Sequence, residues 1–296
     1  MKLFDCTLYY DEDLILETRL NILDRFIHKF IICESKYSHS GREKKLNFDI
    51  KKFSKFKNKI EYLVQDTEPQ GLIFDANREE NYENMRPNAV KRIAHQRNKL
   101  LEALTSAEKN DIILYSDNDE IPNLSNLDFH EFSEKIIMFK QKLFYYKFNL
   151  LCDRIFWYGT RAIRKKNLNS FEKLRQVKPK KYPFYRLDTL FKYNKEISLK
   201  IIQNGGWHFT RVISPEEIHK KELDAEHHDE YRQSKKNPAR IKDLINRRVI
   251  DHDHLVDTKM SKYGNEFKLK KIPNNELPDF ISNNLKKYSD FLDLRD

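Results

Sequence analysis

Short apolar segments of the type that form buried parallel strands alternate with helical stretches through the first 120 residues. The apolar runs predict strands at 2–10, 30–33, 60–64 and 111–115. The helical periodicity between them predicts helices at 14–26, 48–56 and 89–104, the last preceded by a long loop over 65–88. This alternation is typical of a doubly wound α/β sheet, in which ligands bind beyond the carboxyl ends of the strands.

The composition excludes several classes of protein. The chain of 296 residues has only 6 glycines, which excludes collagen-like, glycine-rich and propeller architectures. No apolar run approaches the roughly 18 residues that cross a bilayer, and residues 1–6 lack the apolar core of a signal peptide. We therefore expect a soluble, intracellular protein. Its formal net charge of +10 favours an anionic partner: nucleic acid, a phosphorylated ligand or a membrane surface.

The second half of the chain has a different pattern. Segments 135–148 and 155–163 are rich in aromatic and β-branched residues, which predicts further strands. Charged helices are predicted at 215–231 and 238–248, and 251–254 is expected to be a polar loop. We expect this half to complete the first sheet and not to form an independent domain.

The acidic sequence Asp117-Asn118-Asp119-Glu120 directly follows the predicted strand at 111–115. Carboxylates at i and i+2 of an extended chain share one face, so a turn at the strand end aims Asp117 and Asp119 into one cleft. Hard oxygen ligands there suit Mg²⁺ or Mn²⁺, which neutralises a diphosphate. The alternative is a solvated turn that caps the next helix, and the position at a strand end favours the cation site. Glu34 ends another predicted strand at the same edge of the sheet.

Two other segments carry candidate ligand-binding groups. Gly205 and Gly206 are adjacent and precede Trp207 and His208, which predicts a positive φ angle or a close backbone approach there. His208 is a candidate metal ligand through a neutral ring nitrogen, and Trp207 is a candidate for stacking on a sugar. The alternative is a turn with a buried Trp and a surface His. Arg92 lies on the predicted helix before the acidic motif and suits a phosphate or a carboxylate, with ordinary ion pairing as the alternative.

In this order, the segments resemble glycosyltransferase family 17, the β-1,4-mannosyl-glycoprotein β-1,4-N-acetylglucosaminyltransferase family. The resemblance lies in Asp5–Tyr10, Asp13-Leu14, Glu17–Asn21, Phe30–Ser35, Ser38–Gly41, Arg92, Ser116–Pro122, Gly206–Thr210 and Pro215–Ile218. It implies a GT-A-type fold, which is a doubly wound mixed sheet flanked by helices with an acceptor-side C-terminal part. It also implies transfer of GlcNAc from UDP-GlcNAc, with Mn²⁺ or Mg²⁺ and with inversion to a β-linkage. The expected organisation is a catalytic domain over 1–255 and an extension over 256–296 that packs on it.

The resemblance implies a role for each matched residue. Asp117 is expected on the ribose or metal side, and Asp119 is expected to ligate the metal directly. His208 is expected to make a further contact with the metal or the pyrophosphate. Glu34 is expected near the nucleoside, and Arg92 near the diphosphate.

An inverting transfer also needs a carboxylate that deprotonates the acceptor hydroxyl. Asp188, Glu120 and Glu226 are the candidates in this sequence. Asp188 is favoured because it lies between the acidic motif and His208 along the chain.

The expected acceptor and cellular location rest on a difference between this sequence and the animal members of the family. Those carry an N-terminal membrane anchor and a luminal stem, and neither precedes the catalytic segment here. We therefore expect a microbial or viral enzyme that acts on a glycan or glycolipid acceptor in the cytoplasm, with peripheral contact to the anionic inner face of the membrane.

Three alternatives stay open. The enzyme could use another UDP-hexose, such as UDP-galactose, since no motif fixes the donor sugar. The chain could be a catalytically inactive glycan-binding homologue, or a basic, metal-dependent nucleic-acid-binding protein. No recognisable nucleic-acid module is present, so no nucleic-acid partner is expected.

Overall fold

The computed structural model describes residues 1–75, 82–180, 182–183, 185, 192, 194–255 and 263–295. The strands in this part of the chain are β1 Leu3–Tyr9, β2 Lys29–Ser35, β3 Ile60–Gln65, β4 Ile112–Tyr115, β5 Glu120–Pro122, β6 Ile136–Tyr145, β7 Leu150–Arg164, β8 Leu199–Ile202, β9 Gly206–Thr210, β10 Val249–His252, β11 Tyr263–Lys268 and β12 Lys270–Lys271. The α-helices are α1 Asp13–Leu23, α2 Tyr82–Lys99, α3 Phe171–Arg175, α4 Pro215–Asp224, α5 His228–Gln233, α6 Pro238–Arg247 and α7 Asp279–Ser282. Short 3-10 helices include Ile50–Phe56 and Leu100–Ser106.

Ten of the described strands form one mixed sheet. Its order is β3-β2-β1-β4-β7-β6-β9-β5, with β12 beside β7 and β8 beside β6. The strands β1 to β4 pair with one another in parallel, whereas β7 is antiparallel to both β4 and β6. β5 is antiparallel to β9, and β10 and β11 form a separate pair. The predicted α/β architecture with a mixed sheet is therefore confirmed, and its GT-A-type assignment stays a prediction.

Both faces of the parallel part are covered. Along β2, Phe30 and Ile32 point into a core that includes α1 residues, while Ile31 and Cys33 point into a second core that includes the 3-10 helix Leu100–Ser106. A strand presents alternate side chains to opposite faces, so a strand buried on both sides reads as a continuous apolar run. The strands of this part of the sheet can therefore be predicted from their continuous apolar runs.

Three predicted elements differ from the structure. The helix predicted to begin at Ala89 begins at Tyr82 and contains Pro87, which the sequence places in a loop. Within it, the Asn88 amide donates to the carbonyl of Ile73 and accepts from its main-chain N–H. The helix predicted over 215–231 is split into α4 and α5. The polar loop predicted at 251–254 is partly wrong, since β10 runs through His252.

The C-terminal segment packs on the sheet. β12 pairs with β7, and Ile281 and Tyr288 lie in the same core as α1. The hydroxyl groups of Tyr288 and Thr18 are 2.9 Å apart. The division at residue 255 stays a prediction. Among the described helices, none is both long and apolar enough to cross a lipid bilayer.

Candidate active site

A cavity of about 630 Å³ lies at the carboxyl ends of β1, β2 and β4. Tyr10 follows β1, His39 follows β2, and Asp117–Glu120 follows β4, and all of them line it. Other parts of the wall come from the second half of the chain: Trp157, Arg175, His208, Lys221, Glu226, His252 and His254. The cavity occupies the sheet edge at which the sequence predicts ligand binding.

A buried ion pair supports the acidic loop from below. Arg19 of α1 donates from Nε and Nη2 to the two carboxylate oxygens of Asp5, at 2.7 and 2.6 Å, and the two side chains are 0% and 1% exposed. Its Nη1 also donates to the main-chain oxygens of Asp117, Asn118 and Glu120, at 3.3, 3.3 and 2.9 Å. The pair thereby fixes the backbone of the loop that carries the acidic motif.

Arg175 links the two outer carboxylates of the motif. Its guanidinium donates to Asp117 Oδ2 at 2.8 Å and to both oxygens of Glu120 at 2.8 and 2.9 Å. Burial acts to raise the pKa of Asp117, but Arg175 and Arg97 outweigh it and hold that pKa below its ordinary value. Asp117 is therefore ionised throughout the neutral range, on the cavity wall.

Glu120 is almost completely enclosed. Its carboxylate is 1% exposed and also accepts a hydrogen bond from Trp157 Nε1 at 2.5 Å and from the main-chain N–H of Asp117 at 3.0 Å. The assignment of Glu120 as a base stays a prediction, and its geometry is that of a group that positions Arg175 and Trp157.

Asp119 meets His208 across the β5–β9 pairing. The two strands are antiparallel with Glu120 opposite His208, and the main-chain N–H of Phe209 donates to the Asp119 carbonyl at 2.8 Å. This brings Asp119 Oδ2 to 3.3 Å from His208 Nε2. Burial acts to lower the pKa of His208, but Asp119 outweighs it and raises that pKa above its ordinary value. Burial acts to raise the pKa of Asp119, and His208 outweighs it in turn.

The glycine pair allows β9 to lie this close. Gly206 has a φ angle of +121°, and a Cβ on it would clash with the carbonyl oxygen of Ile121. A Cβ on Gly205 would lie 2.7 Å from the main-chain nitrogen of Lys140. The predicted positive φ angle and close backbone approach are both confirmed. Trp207 packs against the α1-side core, as the alternative for that residue proposed.

The side chains of Asp119 and His208 are of types that bind divalent cations. They offer one hard oxygen and the imidazole Nε2 that faces it, and the other ring nitrogen, Nδ1, is buried without a hydrogen-bond partner among the described residues. Within the described ranges, no three His, Cys, Asp or Glu side chains form a ready-made cation site. A cation at Asp119 would therefore take most of its ligands from substrate phosphates and water, as Mg²⁺ commonly does.

Glu34 lies behind the cavity wall. Its carboxylate is 0% exposed, pairs with Lys44, and accepts hydrogen bonds from the main-chain N–H groups of Asn47 and Phe48 at 2.8 and 3.0 Å. The Tyr62 hydroxyl donates to it at 2.8 Å. These contacts hold the segment 44–48 on the sheet, and Lys44 itself lines the cavity. A direct contact of Glu34 with the nucleoside stays a prediction.

Arg92 lines a neighbouring cleft. Its Nε donates to Glu68 at 2.7 Å and its Nη1 to the carbonyl of His39 at 3.3 Å, and Gly41 packs against its guanidinium. The cleft shares Asp224 with the main cavity. The diphosphate contact predicted for Arg92 stays a prediction, and Asp188 lies outside the described residues.

Comparison with known families assigns the chain. The model of a family described as Glycosyltransferase family 17 matches residues 1–292. The chain belongs to glycosyltransferase family 17. A comparison with curated proteins finds no match. The chain is therefore a glycosyltransferase, as the resemblance implied, and its family implies a nucleotide-sugar donor and a glycan acceptor.

This family 17 enzyme has cavity groups that sequence reasoning did not single out. Arg175 and Trp157 hold the acidic motif from positions 37 to 58 residues away along the chain. Lys221 of α4 also lines the cavity and pairs with Glu12. The chain carries no local signal for these residues, because each reaches the site through tertiary packing.

Proposed function

We propose that this glycosyltransferase transfers a sugar from a UDP-linked donor, with UDP-GlcNAc the first candidate, to a glycan or glycolipid hydroxyl with inversion. The observation that supports it most is the arrangement around Asp119. The Asp119 carboxylate and the His208 imidazole, 3.3 Å apart, lie beside an ionised Asp117 in a cavity that also holds cationic side chains. This is the combination that an anionic diphosphate needs.

The residues of the chain would act on the donor in different ways. Asp117, ionised and fixed by Arg175, would accept hydrogen bonds from donor hydroxyl groups. Arg97 and Lys221 line the same wall and would attract the diphosphate. Preorganised charges in an enclosed site stabilise a leaving group more strongly than they do in water. A divalent cation held by Asp119 and His208 would neutralise charge that develops on the departing UDP.

The acceptor and the cellular site are part of the proposal. A formal net charge of +10 suits peripheral contact with an anionic membrane, where a lipid-linked glycan would be presented. We propose that the enzyme works at the cytoplasmic face on such an acceptor.

The test is UDP release from a panel of UDP-sugars, with Mn²⁺ and a glycan or glycolipid acceptor. We expect turnover of one donor, loss of turnover in EDTA, and at least about a 10²-fold loss in Asp119→Asn. Asp153→Asn is the matched control, since Asp153 is exposed on β7 away from the cavity, and it should retain full activity.

The donor that is turned over also identifies the sugar, so UDP-galactose turnover would favour another hexose over GlcNAc. If no UDP-sugar of the panel released UDP and UDP addition caused no thermal shift, the proposal would be contradicted. A donor-induced thermal shift without any turnover would favour an inactive glycan-binding homologue.

A further inference from the structure

Seven carboxylates of the described chain line the cavity, and they differ in how they are held. They are Glu12, Asp117, Asp119, Glu120, Glu222, Asp224 and Glu226. A general base must be ionised, must reach the acceptor hydroxyl, and must have an oxygen free to take the proton. The contacts of each carboxylate therefore decide which of them can serve.

Six of the seven are engaged by partners of the opposite charge or by hydrogen-bond donors. The partners are Lys221 for Glu12, Arg175 for Asp117, His208 for Asp119, Arg175 with Trp157 for Glu120, Arg211 for Glu222, and Arg42 with Tyr10 for Asp224. A carboxylate in such a pair loses an attractive interaction when it takes up a proton, which weakens it as a base.

Glu226 is the exception. It lies in the short connection between α4 and α5, faces the cavity, and has no hydrogen bond or ion pair with any described residue. Glu226 interacts electrostatically with His39, on the loop after β2. Burial lowers the pKa of His39, so the ring is neutral near pH 7 and does not neutralise Glu226.

We propose that Glu226 is the general base of the transfer, an assignment that rests on the function proposed above. An oxygen of Glu226 takes the proton of the acceptor hydroxyl as that hydroxyl oxygen bonds to C1 of the donor sugar. The bond from C1 to the β-phosphate oxygen breaks, and its electron pair leaves with UDP. The proton on Glu226 then passes to solvent.

The break between α4 and α5 supports this assignment. Pro215–Asp224 ends at Ala225, which has extended backbone angles, and the chain resumes helical geometry at His228. The 225–227 connection turns toward the cavity, and all three of its residues line it. A continuous helix over 215–231 would place position 226 on a regular helical surface.

The experiment compares transfer by wild type, Glu226→Gln and Glu226→Asp with the donor identified by the panel. Loss of a general base costs about 10²- to 10⁴-fold in kcat. We expect that loss in Glu226→Gln, partial recovery in Glu226→Asp, and an unchanged thermal shift on UDP addition, since the glutamine variant keeps the side-chain shape. Glu216→Gln on the exposed first turn of α4 is the matched control and should transfer at the wild-type rate.

The outcomes separate the two proposals. An active wild type with Glu226→Gln within about threefold of it would overturn the assignment of Glu226 alone and favour Asp188. A Glu226→Gln variant that loses UDP affinity in proportion to its rate would also overturn it, because Glu226 would then bind donor. A wild type that releases UDP from no donor overturns the proposed function and this assignment with it.

Discussion

Replacing Arg19 with methionine is expected to lower the free energy of unfolding by about 3–5 kcal/mol. The substitution keeps an unbranched apolar stem but removes the guanidinium, and it leaves the Asp5 carboxylate, 1% exposed, without the cation that it pairs with. Removal of one member of a buried pair is costly because the remaining charge stays desolvated. Such a loss is a large part of the roughly 5–15 kcal/mol of a typical domain.

A second substitution separates the ion pair from the support of the acidic loop. In Arg19→Met with Asp5→Leu, both charges are absent, and stability should return to within about 2 kcal/mol of wild type. The main-chain oxygens of Asp117 and Asn118 would still lack the donor that Arg19 provides. Transfer activity should therefore stay low in the double variant although the protein is stable.

Equilibrium urea denaturation and UDP release measure the two effects. Arg25→Met is the matched control, since Arg25 is near the end of the same helix and bonds on the surface to Ser125, and it should change stability by less than about 0.5 kcal/mol. A loss of less than about 1 kcal/mol in the free energy of unfolding of Arg19→Met would contradict the role of the ion pair. Full activity in a stable double variant would contradict the support of the acidic loop by Arg19.

Three further predictions concern other parts of the site. Gly206→Ala should cost about 1–3 kcal/mol in urea denaturation because of its φ angle of +121°, and a cost below about 0.5 kcal/mol would contradict the strain. Glu34→Gln should cost about 1–3 kcal/mol with little change in UDP affinity, whereas weaker UDP binding at unchanged stability would support a nucleoside contact instead. Asp119 outweighs burial and raises the pKa of His208, so the pair stabilises the folded state fully below pH about 6.5 and less as the pH rises through the folded pKa. In EDTA, the stability difference between wild type and His208→Gln should therefore shrink from pH 6 to pH 8.5, and a constant difference would argue against the pair.

Sequence reasoning found the parts of the fold that are determined locally. The buried strands are continuous apolar runs, and the acidic motif is visible because it follows one of them directly. The chain has few glycines, so the adjacent pair Gly205 and Gly206 predicted an unusual backbone conformation, and the structure has one. Local pattern was enough in each of these cases.

The partners of the motif could not be found in this way. Arg175 reaches Asp117 across 58 positions, and Arg19 reaches the same loop from the opposite side across 98. Such contacts depend on the order of the strands in the sheet. That order cannot be predicted from a local sequence pattern. The start of α2 was missed for a similar reason, since the contact of Asn88 with Ile73 is tertiary.

Titration of Mn²⁺ in the presence and absence of UDP, followed by the electron paramagnetic resonance of the free ion, tests the proposed donor site most directly. We expect UDP-dependent binding of one Mn²⁺ per chain, weakened at least about tenfold in Asp119→Asn and in His208→Gln and unchanged in Asp153→Asn. Mn²⁺ binding that is equally strong without UDP, or that is unchanged in Asp119→Asn, would contradict the proposed donor site.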